Sequence, residues 1–172
     1  MTQANPARDR AGREYWNHSW RGALPKAIDP TLPGVFNYVN RRFDRYFRDL
    51  FSPHSQRATR GRFLEVGCAQ SIWLPYFKRY FGFDVAGIDY SEVGCSRTQQ
   101  LLAQCQVEGT VTCADFFAPP LTLLDAFDVV FSNGVVEHFD DTDGCVQAVS
   151  RFLKPGGLMV TMVGLSATAV SG

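Results

Sequence analysis

Phe63-Leu-Glu-Val-Gly-Cys-Ala-Gln-Ser71 is a short apolar run that ends in a loop of small residues. Ala86-Gly-Ile-Asp89 is a second apolar run, ending in an acid 22 residues after Gly67. In a parallel α/β sheet this pairing sets a tight backbone turn beside a carboxylate at one end of the strands, where a ribose can be held. The spacing therefore predicts a cofactor that carries a nucleoside.

The loop narrows the choice. Gly67 can take a positive φ and let a ligand approach the bare backbone. A dinucleotide site asks for G-x-G-x-x-G, whose second glycine lets a pyrophosphate close on the turn. Here Ala69 and Ile72 occupy the second and third glycine positions. A pyrophosphate ligand is disfavoured, and a nicotinamide oxidoreductase with it.

Strand-like and helix-like segments alternate beyond the loop. Short β-rich runs lie at Arg62–Val66, Asp84–Ile88, Thr110–Cys113, Phe127–Phe131 and Leu158–Val163, with helical stretches near 74–81, 92–106 and 143–153 between them. Pro75 fits only in the opening turn of the first of these helices. Lys154-Pro-Gly-Gly157 is a stop-and-turn signal ahead of the fifth strand. Strand alternating with helix predicts an α/β fold, a Rossmann-like, doubly wound, mostly parallel sheet with right-handed crossovers. We place this domain at residues 62–172. Residues 1–61 form an N-terminal aromatic and basic segment. Its start, 1–14, reads as frayed, and Tyr15, Trp16 and Trp20 follow. Over 34–51, Phe36, Val39, Phe43, Tyr46, Phe47 and Leu50 recur at intervals of three and four opposite Arg41, Arg42, Arg45 and Arg48. That pattern is an amphipathic helix. The polar stretch 52–61 reads as a linker.

Composition sets the outer bounds. The 172 residues suffice for one domain, and 45% hydrophobic with 20% charged residues is ordinary for a globular chain. No apolar run approaches the ~18 residues of a membrane span, and the N-terminus matches neither a secretory signal nor a transit peptide. No membrane partner is expected, and the five cysteines, without a C-x-x-C pair, imply a reduced, cytoplasmic setting and no metal site. The zero net charge hides an asymmetry: residues 1–62 carry twelve Lys/Arg against five Asp/Glu, and the remainder five against twelve. A basic half of this kind leaves a nucleic-acid partner open. Its arginines are interleaved with large apolar residues, which favours instead a helical segment docking on an acidic domain.

Four places can carry chemistry. Asp89 can accept from both ribose hydroxyls, or else cap the following helix, a task for which Ser91 is better suited. After the third strand, Asp115 can accept from an adenine amino group while Phe116 covers the ring face; alternatively both belong to a strand end and the core. Ser132, Asn133 and Gly134 fall where ligands sit in open α/β sheets, outside the carboxyl ends of the strands. One turn later comes His138, whose imidazole titrates near neutrality and is a candidate general base, or a histidine bonded to backbone. Asp140-Asp-Thr-Asp143-Gly reads as a helix cap rather than a calcium loop, for want of the terminal Glu and the spacing.

Together these stretches resemble the class I S-adenosylmethionine-dependent methyltransferases, in particular their small-molecule branch. LEVGCA, GIDYS, ADFF, FDVVFSNGVVEHF and FLKPGGLMV stand for five motifs of that family in order, from Arg62 to about Val163. The resemblance implies S-adenosyl-L-methionine as cofactor and a small-molecule methyl acceptor. Glu65, Gly67, Cys68 and Ala69 would flank the methionine part, Asp89 would bind the ribose, and Tyr90 would lie against the adenosine. Asp115 and Phe116 would hold the adenine, and Asn133 with Gly134 would touch the methionine end. The aromatics Tyr15, Trp16 and Trp20 would line the acceptor pocket, unless they simply pack in the core. Glycines are usual in the family where Ala69 and Ser71 stand here, and Gln70 and Ser71 are expected to narrow the pocket. The family sheet runs 3-2-1-4-5-7-6, whereas this chain supplies strands for 3-2-1-4-5 only. A fragment or truncated product is therefore expected, with Val160 and Val163 on an uncovered edge open to self-association. Two rivals follow: a protein that binds cofactor without turnover, and an RNA methyltransferase suggested by the basic half.

Overall fold

The computed structural model describes residues 10–51 and 61–164. Five strands make one parallel sheet in the order β3-β2-β1-β4-β5. They are β1 (Arg62–Val66), β2 (Asp84–Asp89), β3 (Gly109–Cys113), β4 (Phe127–Asn133) and β5 (Leu153–Met162). The helices are α1 (Arg13–Ser19), α2 (Tyr38–Leu50), α3 (Trp73–Phe81), α4 (Glu92–Gln104) and α5 (Thr142–Ser150), with a short 3₁₀ turn at Val35–Asn37 leading into α2. The expected α/β architecture and strand order are present. The polar stretch 52–61, apart from Gly61, falls outside the described residues, as do the side chain of Phe36 and the tail after Gly164.

β1 sits at the centre because both of its faces are apolar, the usual mark of a parallel strand covered on each side. Side chains alternate across a strand. Phe63 faces one layer with Phe77, Phe83 and Phe131, while Leu64 and Val66 face the other with Val130, Cys145, Val149 and Phe152. α2 closes the first layer. Phe47 is fully buried, with ring centroids 4.9 Å from Phe77, 5.7 Å from Trp73 and 6.0 Å from Phe131. The apolar stripe of the sequence is only partly used: Phe43, Phe47 and Leu50 pack inward, whereas Val39 and Tyr46 stay exposed.

Caps end the helices where the side chains supply them. Ser91 Oγ accepts from Gly94 N at 3.0 Å to start α4, and Asp141 accepts from Gly144 N at 2.8 Å to start α5. Both assignments follow the sequence reading. α5 ends at Ser150, three residues sooner than the pattern predicts, because the chain must already turn to deliver Phe152 and Leu153 to the sheet. The expected turn at 154–157 is a bulge within β5: Leu153 pairs with Phe127, and pairing resumes at Leu158 opposite Val129. Gly156 carries the bend at φ +79°. Lys154 folds back to pair with Asp128 at 3.0 Å.

Candidate functional site

The strand order reverses between β1 and β4, and a cavity of about 360 Å³ opens there at the carboxyl ends of the strands. Its floor is the β1 loop (Glu65, Gly67, Ala69, Gln70, Ser71), the end of β2 (Asp89, Tyr90) and the end of β4 (Asn133, Gly134). Its walls are Phe116, Val135, His138 and Phe139 on one side and Ile72 and Trp73 on the other. Gly67 adopts φ +75°, and a Cβ there would collide with Val135. Only glycine allows this turn and leaves bare backbone facing the cavity.

Two acids lie at the centre of the floor. Asp89 is 8% exposed and holds its loop together: Oδ2 accepts from Ala69 N at 3.1 Å and Oδ1 from Ser91 N at 2.7 Å. A carboxylate has about four acceptor positions, and hydroxyl groups such as those of a ribose are donors it can take. Glu65 shares the strand face of Phe63 and is fully buried. Burial, with the Asp89 charge adding to it, pushes its carboxyl up to about 8, against the lowering pull of a hydrogen bond from Ser71. Ser71 Oγ donates to Glu65 and accepts from Trp73 N at 3.1 Å and Leu74 N at 3.0 Å. The serine that stands where the family has glycine therefore ties the acid to the start of α3.

α1 forms the roof. Trp16 stacks on Trp20 at 5.6 Å and meets His138 edge-on at 4.9 Å, and both tryptophans line the cavity with Pro25. Polar contacts pin the segment on both sides. Towards the β4 loop, Arg10 N donates to His138 O at 3.0 Å, and Arg10 pairs with Asp140 at 2.6 Å. Towards α4, Asn17 Oδ1 accepts from Ser91 Oγ at 2.6 Å, and Arg13 lies over the Tyr90 ring at 5.6 Å. Gln70 Nε2 donates to Trp20 O at 2.8 Å. The resemblance implies that Tyr15, Trp16 and Trp20 line an acceptor pocket, and the two tryptophans do line the cavity; the sequence did not show that they sit on or beside a helix. The signal for a helix was weak because its seven residues carry no buried side chain.

The cavity thus gathers Glu65, Gly67, Ala69, Asp89, Tyr90, Phe116, Asn133, Gly134 and His138. Four expected residues stand elsewhere. Ser132 is fully buried outside the cavity lining, its hydroxyl donating to Thr161 Oγ1 at 3.2 Å. Cys68 is fully buried and turned into the core against the bare Cα of Gly87, which leaves just enough room for its sulfur. Asp115 is exposed and does not line the cavity; its carboxylate accepts from Phe117 N at 2.9 Å, closing a local turn that directs it away. Tyr15 is 57% exposed, outside the pocket that its neighbour Trp16 lines. Conversely, Pro25, Ile72, Trp73, Val135 and Phe139 are wall residues that sequence reasoning did not single out. Their positions within two residues of motif loops were the one available hint for all but Pro25.

Comparisons with known proteins agree with this geometry. Residues 64–161 match the family described as "Methyltransferase domain". A curated relative from Brucella ovis, "Ubiquinone biosynthesis O-methyltransferase", is 28% identical over 154 residues, covering 87% of this chain and 58% of its own length. The chain thus spans little more than half of that relative. Among solved structures, a putative S-adenosyl-L-methionine-dependent methyltransferase from Methanococcus maripaludis superposes with a TM-score of 0.64. It is 16% identical, and the match covers 95% of this chain and 68% of that one. Geranyl diphosphate C-methyltransferase from Streptomyces coelicolor, solved with S-adenosyl-L-homocysteine, superposes at 0.60 with 17% identity, over 87% and 63% of the two chains. At these identities the superpositions establish the fold.

Proposed function

Because this chain belongs to the methyltransferase-domain family, with the class I S-adenosylmethionine-dependent architecture, we propose that its cavity binds S-adenosyl-L-methionine and presents a small, largely apolar acceptor to it. The observation that carries the reading is the convergence of Gly67, Glu65, Asp89 and the Asn133–Gly134 turn on one cavity at the strand-order reversal.

The residues present fit that cofactor. Asp89 is an acceptor suited to the ribose hydroxyls, and Tyr90 and Phe116 offer ring faces for the adenine. Glu65, Gly67 and Ala69 with Asn133 and Gly134 would hold the methionine part, whose ammonium can donate to the carboxyl oxygens of the floor. Asp115 and Cys68, placed outside the wall, are left out of this assignment. When bound, the cofactor supplies a methyl group activated by a positive sulfur. The chain's own work is then positioning and exclusion of water. Trp16, Trp20, Trp73 and Phe139 form an aromatic enclosure for the acceptor, without a Lys or Arg to attract an anion. His138 lines that end and takes the acceptor's proton where the acceptor must lose one.

Calorimetric titration with S-adenosyl-L-methionine, followed by mass-spectrometric search for S-adenosyl-L-homocysteine after incubation with small phenols and amines, tests the proposal. Saturable binding with product supports it. Binding without product leaves a cofactor-binding protein, and absence of binding removes the site. Unchanged retention of RNA at raised ionic strength would sink the RNA-directed rival, whose phosphate contacts must weaken with salt.

A further inference from the structure

The outer face of α2 has no use in the site described above. Its inner face is spent on Phe43, Phe47 and Leu50, but Leu32 (54% exposed), Val35 (76%), Tyr38 (55%), Val39 (57%) and Tyr46 (53%) remain in solvent. At 100° per residue, Arg45, Tyr38, Arg42, Tyr46 and Val39 follow one another around that outer face. The preceding turn adds Leu32 and Val35. Arg41 fastens this turn to the helix, donating to Leu32 O and Gly34 O at 3.0 Å each, which fixes the apolar residues as a preformed ledge.

The charges around the ledge are cationic. Arg48 is paired with Asp44 at 2.8 Å, and Asp44 also accepts from Tyr76 at 3.0 Å. Arg42 and Arg45 are exposed and have no ion-pair partner among the described residues, and Asp49 is the lone acid on that side of the helix. Exposed aliphatic and tyrosine side chains interleaved with unpaired arginines suit a membrane interface, apolar groups reaching the acyl boundary and guanidinium groups reaching up to the phosphates. A second copy of the same face is a poorer match, since an isologous contact would bring four arginines together with only the two copies of Asp49 to offset them.

We propose that the outer face of α2, with the Leu32–Val35 turn, is a docking surface for an anionic phospholipid bilayer. Among the described residues no helix is long and apolar enough to cross a membrane; this contact is peripheral. It does not rest on the methyl-transfer reading.

Co-sedimentation of the full chain with phosphatidylcholine vesicles, with and without phosphatidylglycerol, tests it. The expected result is partition onto the phosphatidylglycerol vesicles alone, lost at raised ionic strength. Arg42→Glu and Arg45→Glu should each weaken it about fivefold. Val35→Asp should abolish it, and because these side chains are exposed all three variants should melt as the parent does. No partition, or equal partition onto both vesicles, overturns the proposal. So does self-association in sedimentation velocity that Val35→Asp removes, which would make a second copy the occupant.

Discussion

At the scale of single residues, Asp89 and Glu65 are two acids with opposite tasks. Asp89 accepts two backbone N–H groups and lines the cavity. Asp89→Ala should weaken S-adenosyl-L-methionine binding by at least about 1.5 kcal/mol, the loss of a charge-assisted pair, and an unchanged dissociation constant in calorimetry would remove it from the site. Glu65 is raised from 4.5 to about 8 by burial, so the native chain keeps a proton that the unfolded chain releases. Its contribution is full below about pH 4.5 and is lost as pH rises through about 8. Urea midpoints measured at several pH values should therefore fall across that window, and Glu65→Gln should flatten the fall. Parallel profiles for the two proteins would contradict the assignment. His138 meets Trp16 at the acceptor end. For an acceptor that must lose a proton, His138→Gln should cut turnover about a hundredfold while leaving cofactor affinity as it was. Equal turnover would return the histidine to a wall role. The acids and the histidine were legible in the sequence because each closes a motif. The Ser71–Glu65 contact was not, since nothing in a linear pattern tells that a loop serine turns back to a strand acid six positions earlier.

At the scale of elements, legibility tracked how local the cause was. The strands β1, β2 and β4 stand within two residues of where their apolar runs place them, because burial on two faces is written directly in such runs; β3, whose residues are exposed or half-buried, also lies within one residue of its expected place. β5 begins five residues early because Leu153 reaches Phe127 across the bulge, a long-range pairing that overrides the Pro-Gly-Gly signal. α1 is the extreme case. It is held by side-chain contacts to the α4 cap, the β4 loop and the β1 loop rather than by its own pattern. Asn17 is the contact to break: Asn17→Ala takes an acceptor from the buried hydroxyl of Ser91. The cost should be about 1 kcal/mol, and amide exchange over residues 13–19 should quicken while Gly94 in the α4 cap stays protected. Uniform exchange in α1 with and without Asn17 would show that other contacts suffice.

At the scale of the whole molecule, β3 and β5 are the sheet's edges, and the C-terminal end of β5 runs out into the 57%-exposed Val163. Val160, on the same edge strand, turns its side chain into the core. An open strand edge is a template for another chain. Sedimentation velocity should show mass rising with concentration, and Val163→Lys should suppress the rise. A single monomeric boundary at every concentration would refute it. The basic front half, read from the sequence as a segment that docks on an acidic domain, does so in part: Arg10 and Arg13 pair with Asp140 and Glu92. Arg42 and Arg45 do not; both are exposed, on the face opposite the apolar stripe where the amphipathic pattern of 34–51 puts them.

A roof that is fastened by a handful of polar latches, and that shares no strand with the floor beneath it, can be rewritten on its own. Substitutions at Trp16, Trp20 and Pro25 would change which guest molecule the chamber admits while the nucleoside end keeps its grip. Selectivity and cofactor economy are thereby separable traits in this scaffold, open to independent tuning by natural drift or by an engineer.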